Sequence, residues 1–236
     1  VKKVGLELGG NAPFIVFDDA DLDAAVQGAI IAKYRNMGQT CVCTNRLYVQ
    51  AGIHDRFVEK FAAEVIKLKV GNGAEVGVMQ GPLINGKAIE KVERHVKDAV
   101  AHGARVAVGG KRHALGRTFY EPTVLTGVTT RMLVTTEETF GPVASIYKFD
   151  SESEVVELAN ATQYGLASYF YTKDLGRAFR VAEALEYGMV GINSAILGTE
   201  VAPFGGVKES GLGREGGRHG MDEFVEHKYM LVGGLG

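Results

Sequence analysis

Tryptophan is absent from this chain of 236 residues, proline occurs five times, and cysteine occurs only twice. The two cysteines, Cys41 and Cys43, are separated by one residue, which is not the spacing of a disulfide framework. Proteins without such a framework are typical of reducing compartments, so we predict a cytoplasmic location. The sequence also lacks an apolar run near the ~20 residues that cross a bilayer, and it lacks a recognisable signal peptide. We therefore predict no membrane partner.

An excess of charge of one sign is lacking as well. The chain carries 26 lysines and arginines against 28 aspartates and glutamates, which gives a formal net charge of -2. The basic residues are scattered, whereas nucleic acids and anionic membranes bind clustered basic residues. The sequence therefore predicts neither as a partner.

Metal-ligand spacings are also lacking. The histidines lie in charged or loop-like surroundings, at positions 54, 95, 102, 113, 219 and 227. No Cys/His ligand set is present, so no metal site is predicted. A Ser-His-Asp triad stays open, because its members meet only in space, although no serine sits in a nucleophile elbow.

What the sequence does contain is an alternation of amphipathic helices with short strands rich in β-branched residues. This order predicts an α/β fold with a doubly wound, mostly parallel sheet. Strands are predicted at 14–17, 46–50, 105–108, 120–125, 166–172 and 189–192, and helices at 54–69, 89–100, 152–161, 174–187 and from 22 to between 34 and 37. The acidic cluster at 18–23 lacks the glycine of a calcium loop and is interpreted as a helix N-terminal cap. Because the chain starts at Val1 and 6–8 already looks ordered, we expect a piece of a longer protein.

The stretch 36–43 follows the first predicted helix and contains both cysteines. A cysteine in a chain of this size is more often a small buried side chain than a reactive group. Here Gly38 frees the backbone, and Arg35 brings a permanent positive charge nearby. We therefore expect Cys41 to be partly exposed and its thiolate to be favoured, as a nucleophile requires.

Several further motifs are weak one by one and informative as an ordered set. They are Glu7-Leu8-Gly9-Gly10, Gly38-Gln39-Thr40-Cys41, Glu138-Thr139-Phe140-Gly141-Pro142, Asn193, and Pro203-Phe204-Gly205-Gly206 followed by Ser210-Gly211. Together they resemble the aldehyde dehydrogenase superfamily over essentially the whole chain. Within it, the stretches 39–46 and 200–204 look most like succinate-semialdehyde dehydrogenases.

The resemblance implies a division of the chain into four parts. Residues 1–10 would be the end of a preceding cofactor domain, and 11–211 the catalytic domain. Residues 212–224 would form a helix that packs on the cofactor domain, and 225–236 an oligomerisation strand. The implied assembly is a homo-oligomer, a dimer or a tetramer.

The resemblance also assigns chemistry by position. Cys41 would be the nucleophile, with its backbone amide as half of an oxyanion hole, and Glu7 the base that activates the hydrolytic water. Glu138 would hold the nicotinamide ribose of NAD or NADP, and Phe140 would pack beside the ring. Most of the cofactor would be bound by the preceding half.

For the substrate, the resemblance implies that Arg35 grips the distal carboxylate of succinate semialdehyde, with Phe204 as a pocket wall. Gly198 stands where that branch commonly has a serine, and Thr199 is the expected substitute. Glutarate semialdehyde or another dicarboxylic semialdehyde therefore stays open. A coenzyme A-dependent relative is disfavoured because Glu7 supplies a base for water, and a non-catalytic protein of the same fold stays open.

Cys43 has two interpretations. It is a small buried side chain that supports Cys41, or, by resemblance to some succinate-semialdehyde enzymes, a redox partner that forms a disulfide with Cys41. A disulfide across one intervening residue requires a local backbone change and would be strained.

Overall fold

The protein is described by a computed structural model that covers residues 2–236. In chain order its elements are β1 (Leu6–Glu7), β2 (Ala12–Val16), α1 (Leu22–Tyr34), β3 (Thr44–Gln50), α2 (His54–Val65), α3 (Gly86–Ala101), β4 (Arg105–Val108), β5 (Thr123–Thr126), α4 (Leu133–Thr136), β6 (Val143–Phe149), α5 (Glu152–Asn160), β7 (Tyr164–Gly165), β8 (Ala167–Tyr171), α6 (Leu175–Ala184), β9 (Met189–Ile192), β10 (Val207–Lys208) and β11 (Gly211–Leu212). Short 3₁₀ turns cover Arg35–Gly38 and Arg218–Phe224.

Seven of the strands form one twisted sheet in the order β4-β5-β6-β3-β2-β8-β9. Every neighbouring pair is parallel except the edge pair β4 and β5, which is antiparallel. The strands at the centre are buried on both faces, as the unbroken apolar runs of β2 and β8 require. The predicted α/β, mostly parallel sheet is confirmed.

Helices cover both faces of this sheet. Along β2, Phe14 and Val16 belong to one apolar cluster with α1 and α2, while Ile15 belongs to the other with α3, α5 and α6. Burying an aliphatic or aromatic side chain contributes about 1.5–3 kcal/mol, so these two layers supply most of the stabilisation. Within residues 2–236, no helix has the length and apolar character needed to cross a membrane.

Acidic side chains begin the first helix, as predicted. Asp21 caps α1 by accepting a hydrogen bond from the backbone N–H of Ala24 at 3.0 Å. Its neighbour Asp19 accepts a hydrogen bond from the hydroxyl of Thr172 and pairs with the guanidinium of Arg177 at 2.8 Å. The acidic cluster therefore joins the end of β8 to the start of α1.

One charged side chain lies inside the sheet and was not singled out from the sequence. Arg46 on β3 is completely buried. Its guanidinium donates to the backbone carbonyls of Asn11, Leu158 and Ala159, each at 3.0 Å, and to the hydroxyl of Tyr187 at 2.8 Å. Arg46 thereby donates to a carbonyl just before β2 and to two carbonyls in the last turn of α5.

The C-terminal predictions need correction. A helix was expected over 212–224, but only Arg218–Phe224 is helical, as a 3₁₀ turn, and all of that turn is exposed or half-buried. The backbone of Gly213, Gly216 and Gly217 has positive φ, which an α-helix does not allow. Residues 225–236 have no regular secondary structure in this single chain, where they have no neighbouring strand to pair with, so the oligomerisation strand stays a prediction.

Replacement of Arg46 by methionine tests the role of the buried guanidinium. The variant removes the guanidinium, so the carbonyl of Asn11 loses its side-chain donor, while the carbonyls of Leu158 and Ala159 keep the hydroxyls of Tyr48 and Tyr187 as donors. We expect the free energy of unfolding in urea to fall by roughly 1–3 kcal/mol, because an unsatisfied buried carbonyl costs about that much. Arg105→Met, at an exposed position of β4, is the matched control, and an equal loss in both variants would contradict this role.

Candidate active site

The residues singled out from the sequence gather at the amino ends of the parallel strands. Gly10 precedes β2, Cys41 precedes β3, and Glu138 precedes β6. Open α/β sheets usually bind ligands at the carboxyl ends of their strands. This cleft therefore lies at the opposite edge from the usual one, on the side where β1 and β11 pair.

The loop that carries Cys41 reverses the chain between α1 and β3 by a left-handed turn. Asn36, Met37 and Gly38 have φ values of 52°, 60° and 70°. Met37 is buried in the core, and a Cβ at Gly38 would overlap the carbonyl oxygen of Gly141. Left-handed backbone costs a residue with a side chain about 1–2 kcal/mol, so the loop is held in place by its surroundings.

The backbone around Cys41 is fixed by three contacts. A Cβ at Gly10 would overlap the carbonyl oxygen of Cys41, so only glycine allows this approach. The hydroxyl of Tyr169 donates to the carbonyl of Val42 at 2.9 Å, and the N–H of Cys43 donates to the carbonyl of Thr40 at 3.0 Å. The side chain of Cys41 is half-buried, so the predicted partial exposure is confirmed.

The charge environment of Cys41 differs from the expected one. Burial raises the pKa of this thiol, and the carboxylates of Glu7 and Glu138 raise it further. Hydrogen bonds from the backbone N–H groups of Cys41 and Val42 act in the other direction. The charge of Arg35 is not among these influences. The expectation that the surroundings favour the Cys41 thiolate is therefore wrong for this chain, because burial and two carboxylates raise the pKa and the charge of Arg35 is not among the influences that lower it.

Glu7 lies at the end of β1 and is half-buried. Neither of its carboxylate oxygens has a hydrogen-bond partner among residues 2–236. Burial raises its pKa, the charge of Glu215 raises it further, and Arg214 lowers it. Its charge also raises the pKa of Cys41, so the carboxylate lies near enough to the thiol to act on it. An unpartnered carboxylate with a raised pKa is suited to proton transfer with water.

Glu138 faces the same cleft. Its Oε1 accepts a hydrogen bond from the N–H of Gly10 at 2.9 Å, and burial raises the pKa of the carboxyl. Its Oε2 faces Gly9 and accepts no hydrogen bond from the described residues. Phe140, which is partly exposed, lines a surface cavity with Gln39, two positions before Cys41. A free carboxylate oxygen beside an exposed aromatic ring fits a ligand that offers both hydroxyl groups and a flat ring.

A buried network supports the loop of Glu138, and its histidine was misjudged from the sequence. His95 was placed in loop-like surroundings, yet it is completely buried on α3. Its ring nitrogens lie 3.0 Å from Glu137 Oε2 and 3.1 Å from Thr139 Oγ1, and Arg94 also pairs with Glu137. The spacing of His95 from Val92 placed it on the apolar face of the helix and could have revealed its burial.

The predicted substrate residues are only partly brought together. Phe204 is half-buried and packs on the same apolar cluster as Cys41. Arg35 is exposed, and no carboxylate of residues 2–236 forms an ion pair with it. Its charge acts on the pKa of Tyr169, whose hydroxyl donates to the carbonyl of Val42 beside Cys41. Thr199 is exposed and its hydroxyl lies 3.5 Å from its neighbour Glu200, so no contact joins it to the cleft.

Cys43 is 2% exposed, and both cysteines are free thiols. Its sulfur lies 3.4 Å from the Nζ of Lys33, a residue that was not singled out from the sequence. This burial agrees with the interpretation of Cys43 as a small supporting side chain. The disulfide with Cys41 stays a prediction, and it would require Cys43 to leave Lys33. Residues 2–236 contain no cluster of three or more His, Cys, Asp or Glu suited to a metal.

Comparison with known proteins agrees with this geometry. The aldehyde dehydrogenase family model matches residues 1–230. The 3-sulfolactaldehyde dehydrogenase of Pseudomonas putida is 63% identical over 235 residues, which are 100% of this chain and 48% of that protein. The glutarate-semialdehyde dehydrogenase of Pseudomonas aeruginosa is 63% identical over 235 residues, 100% of this chain and 49% of that protein.

A solved structure gives the same result for the fold. The crystal structure of succinate-semialdehyde dehydrogenase from Burkholderia pseudomallei superposes with a TM-score of 0.94 at 65% identity, covering 95% of this chain and 46% of that one. The chain thus spans about half the length of the relatives it matches.

Replacement of Glu7 by glutamine tests the charge environment of the thiol. Because Glu7 raises the pKa of Cys41, removing its negative charge should lower that pKa. We expect the pH midpoint of iodoacetamide labelling at Cys41, resolved by peptide mass spectrometry, to fall. Glu64→Gln, on the exposed face of α2, is the control, and an unchanged midpoint in Glu7→Gln would contradict the proximity of the two groups.

Replacement of Glu137 by glutamine tests the network below Glu138. Hydrogen bonds from Arg94 and His95 lower the pKa of Glu137 from its ordinary 4.5 to about 2. A lowered carboxyl pKa contributes stability above pH 4.5 that is lost as the pH falls toward 2.

Glu137→Gln should therefore unfold at lower urea concentration than the wild type near neutral pH. The difference should shrink as the pH falls through this window. Glu209→Gln, which removes an exposed carboxylate without a side-chain partner, is the control. A difference that stays constant down to low pH would show that the charge of Glu137 is not the stabilising feature.

Proposed function

Because this chain belongs to the aldehyde dehydrogenase family, we propose that it is the catalytic half of an NAD(P)-dependent dehydrogenase that oxidises a short aldehyde carrying a distal anionic group. The observation that supports the proposal most is a half-buried Cys41 thiol on which the charge of Glu7 acts, the oxygens of that carboxylate having no hydrogen-bond partner among residues 2–236. The activity belongs to the whole protein, of which the chain corresponds to about half.

In the first step the sulfur of Cys41 attacks the aldehyde carbon. A carbon–sulfur bond forms, and the electron pair of the carbonyl bond moves to oxygen, giving a thiohemiacetal. The thiol first releases its proton to solvent water, and the carboxylate whose charge acts most strongly on this thiol is Glu7. The backbone N–H of Cys41 is already directed at the sulfur side of the loop. It would donate to the new oxyanion, a contact typically worth ~10²-fold in rate.

A bound nicotinamide cofactor supplies the hydride acceptor, which leaves the acyl group on Cys41 as a thioester. The residues present fit its ribose and ring. Glu138 has one carboxylate oxygen free for a hydroxyl donor, and Phe140 offers an exposed aromatic face beside the cleft. Aldehyde dehydrogenases use NAD or NADP. The choice between them stays open in this chain.

Hydrolysis then releases the acid. Glu7 takes a proton from water as the water oxygen attacks the thioester carbon, and the carbon–sulfur bond breaks to return the Cys41 thiolate. The raised pKa of Glu7 makes it a stronger base than an exposed glutamate, and its oxygens have no protein partner to compete with water. This base is also the reason to prefer water over coenzyme A as the acyl acceptor.

The substrate class rests on Arg35. Its guanidinium is exposed, carries no ion pair within residues 2–236, and lies six positions before Cys41 on the same loop. The relatives act on glutarate semialdehyde, succinate semialdehyde and 3-sulfolactaldehyde, and all three molecules carry an anionic group away from the aldehyde. A fork of two N–H donors binds carboxylate and sulfonate oxygens well. We place succinate semialdehyde first and glutarate semialdehyde second, with Phe204 as an apolar wall and Thr199 as an added polar contact.

The remaining parts of the proposal concern assembly. Residues 225–236 are extended and exposed, with Tyr229, Leu231 and Leu235 each more than 80% accessible. Such an apolar segment suits pairing with another subunit, so we propose a homo-oligomer with this segment as its strand. The cytoplasmic location rests on the cysteine content alone and stays a prediction.

The substrate assignment is tested on the complete enzyme by comparing kcat/KM for succinate semialdehyde and for an uncharged aldehyde of equal length. Arg35→Ala should lower kcat/KM for the charged substrate by about 10²-fold, since a charge-assisted contact is worth about 1.5–3 kcal/mol, and should leave the uncharged one nearly unchanged. Arg56→Ala, at an exposed position of α2, is the matched control. Cys41→Ala should abolish oxidation of both aldehydes.

The two variants test the substrate assignment and the catalytic mechanism separately. An unchanged preference in Arg35→Ala would show that another group recognises the anion. Activity that survives in Cys41→Ala would contradict the dehydrogenase mechanism itself and would favour a non-catalytic role for this cleft.

A further inference from the structure

Lys33 is a buried lysine that takes no part in the proposed mechanism. It lies in the last turn of α1 and is completely buried. Its Nζ donates to Asn45 Oδ1 at 3.1 Å and to Cys43 Sγ at 3.4 Å. No carboxylate of residues 2–236 forms an ion pair with it, and the carboxylate that acts on it from a distance is Glu138.

Such a side chain is costly to bury. Transferring an ammonium group from water into a protein interior costs several kcal/mol, and a sulfur and an amide oxygen offset this less well than a carboxylate would. Burial accordingly lowers the pKa of Lys33. A methionine of similar length would fill the same space without that cost. Stability alone therefore does not account for a lysine at this position.

The position of Lys33 in the fold indicates a different role. The loop that contains Arg35 and Cys41 begins at the end of α1 and finishes at the start of β3. Lys33 lies on the first stem of this loop, and Cys43 and Asn45 lie on the second. Its ammonium bonds both residues of the second stem, and Cys43 Sγ also lies 3.4 Å from the backbone carbonyl of Lys33. The loop is therefore closed at its base by contacts that run in both directions.

Closure at the base matters because the loop itself is strained. Asn36 and Met37 occupy left-handed backbone, and each costs about 1–2 kcal/mol relative to a relaxed conformation. Without a contact between its two stems, the loop would lower its free energy by unwinding. Cys41 sits two residues from the tie, so a shift of β3 against α1 moves its backbone directly.

We propose that Lys33 is a positioning residue for Cys41, which ties the start of β3 to the end of α1 and so fixes the backbone that carries the reacting thiol. The charge of Lys33 is not among the principal influences on the Cys41 thiol, so it acts through the backbone. The inference rests on the proposed function in one respect only, namely that Cys41 is the reacting group.

Lys33→Met is the direct test in the complete enzyme. It removes the donor and keeps the length of the side chain. We expect the labelling midpoint of Cys41 to rise by about one pH unit, because the amide hydrogen bonds that favour the thiolate weaken, which slows iodoacetamide labelling near neutral pH about tenfold. We expect kcat to fall about tenfold or more, since misplacement of a reacting group by 1 Å costs up to ~10²-fold. The melting temperature should stay the same or rise.

Lys60→Met is the matched control. Lys60 lies on α2 and pairs with Asp23 at the start of α1, so the same substitution there removes an exposed lysine that touches the same helix. Labelling and kcat should be unchanged in this variant. A Lys33→Met protein that changes only in melting temperature, with the labelling midpoint and kcat of the wild type, would overturn the proposal.

A double-mutant cycle tests whether Lys33 acts through its partners. In a background that carries Cys43→Ala and Asn45→Leu, Lys33 has lost both acceptors, so Lys33→Met should add little further change in labelling. Full additivity would contradict the tie. If Lys33→Met fails to fold, Asn45→Leu alone removes one acceptor and should raise the labelling midpoint in the same direction, and an unchanged midpoint would overturn the proposal.

The thiol measurement keeps this inference distinct from the proposed function. Iodoacetamide labelling reports the state of Cys41 without any substrate or cofactor. If Cys41→Ala retained dehydrogenase activity, the proposed mechanism would fail, while the effect of Lys33→Met on labelling would still decide whether Lys33 positions this thiol.

Discussion

The reversal of the chain between α1 and β3 is the constraint from which the cleft follows. Three consecutive left-handed residues turn the backbone so that a helix lying on one face of the sheet delivers Cys41 to the amino end of a central strand. The backbone of this loop packs directly on two other strand-leading segments, at Gly10 and at Gly141. Because these approaches leave no space for a side chain, the loop, the segment of Glu7 and the segment of Glu138 are fixed relative to one another.

The electrostatics of the cleft follow from this packing. Glu7 and Glu138 arrive on the two segments that contact the loop, so their negative charges surround the thiol. The two nearby cations lie elsewhere. Arg35 is exposed at the surface, and Lys33 is buried against Cys43. A thiol in such surroundings resists ionisation until something changes its environment.

The location of the cleft at the amino ends of the strands has a structural consequence. The carboxyl ends of β2 and β8 are occupied by the contacts of Asp19, which accepts hydrogen bonds from Thr172 and pairs with Arg177. That edge is therefore closed by structural ion pairs. The amino edge instead carries short loops rich in glycine, the pairing of β1 with β11, and polar atoms of Glu7 that have no partner.

Periodicity and motif order were sufficient to predict the helices, the mostly parallel sheet and the set of residues that could do chemistry. The continuous apolar run at 14–17 and the helical spacing of apolar residues over 89–100 are local features that can be read from the sequence. The sequence could not show whether the charges around Cys41 raise or lower its pKa, because this depends on which charged groups the fold brings within a few ångströms of the thiol. Arg35, a near neighbour in sequence, exerts little effect on the thiol, whereas Glu138, almost a hundred positions away, exerts a clear one.

The sequence also did not indicate which polar side chains are buried. Lys33, Arg46 and His95 look like ordinary solvated residues, and each became an internal tie only when strands and helices closed around it. Residues 225–236 show the opposite case, a strand-like pattern that forms no strand because pairing requires a neighbour. The sequence by itself thus determined most of the helices and strands and indicated which groups are candidates for chemistry. Tertiary structure alone decided which charges meet, because Coulomb and desolvation energies depend on distance in space and not along the chain.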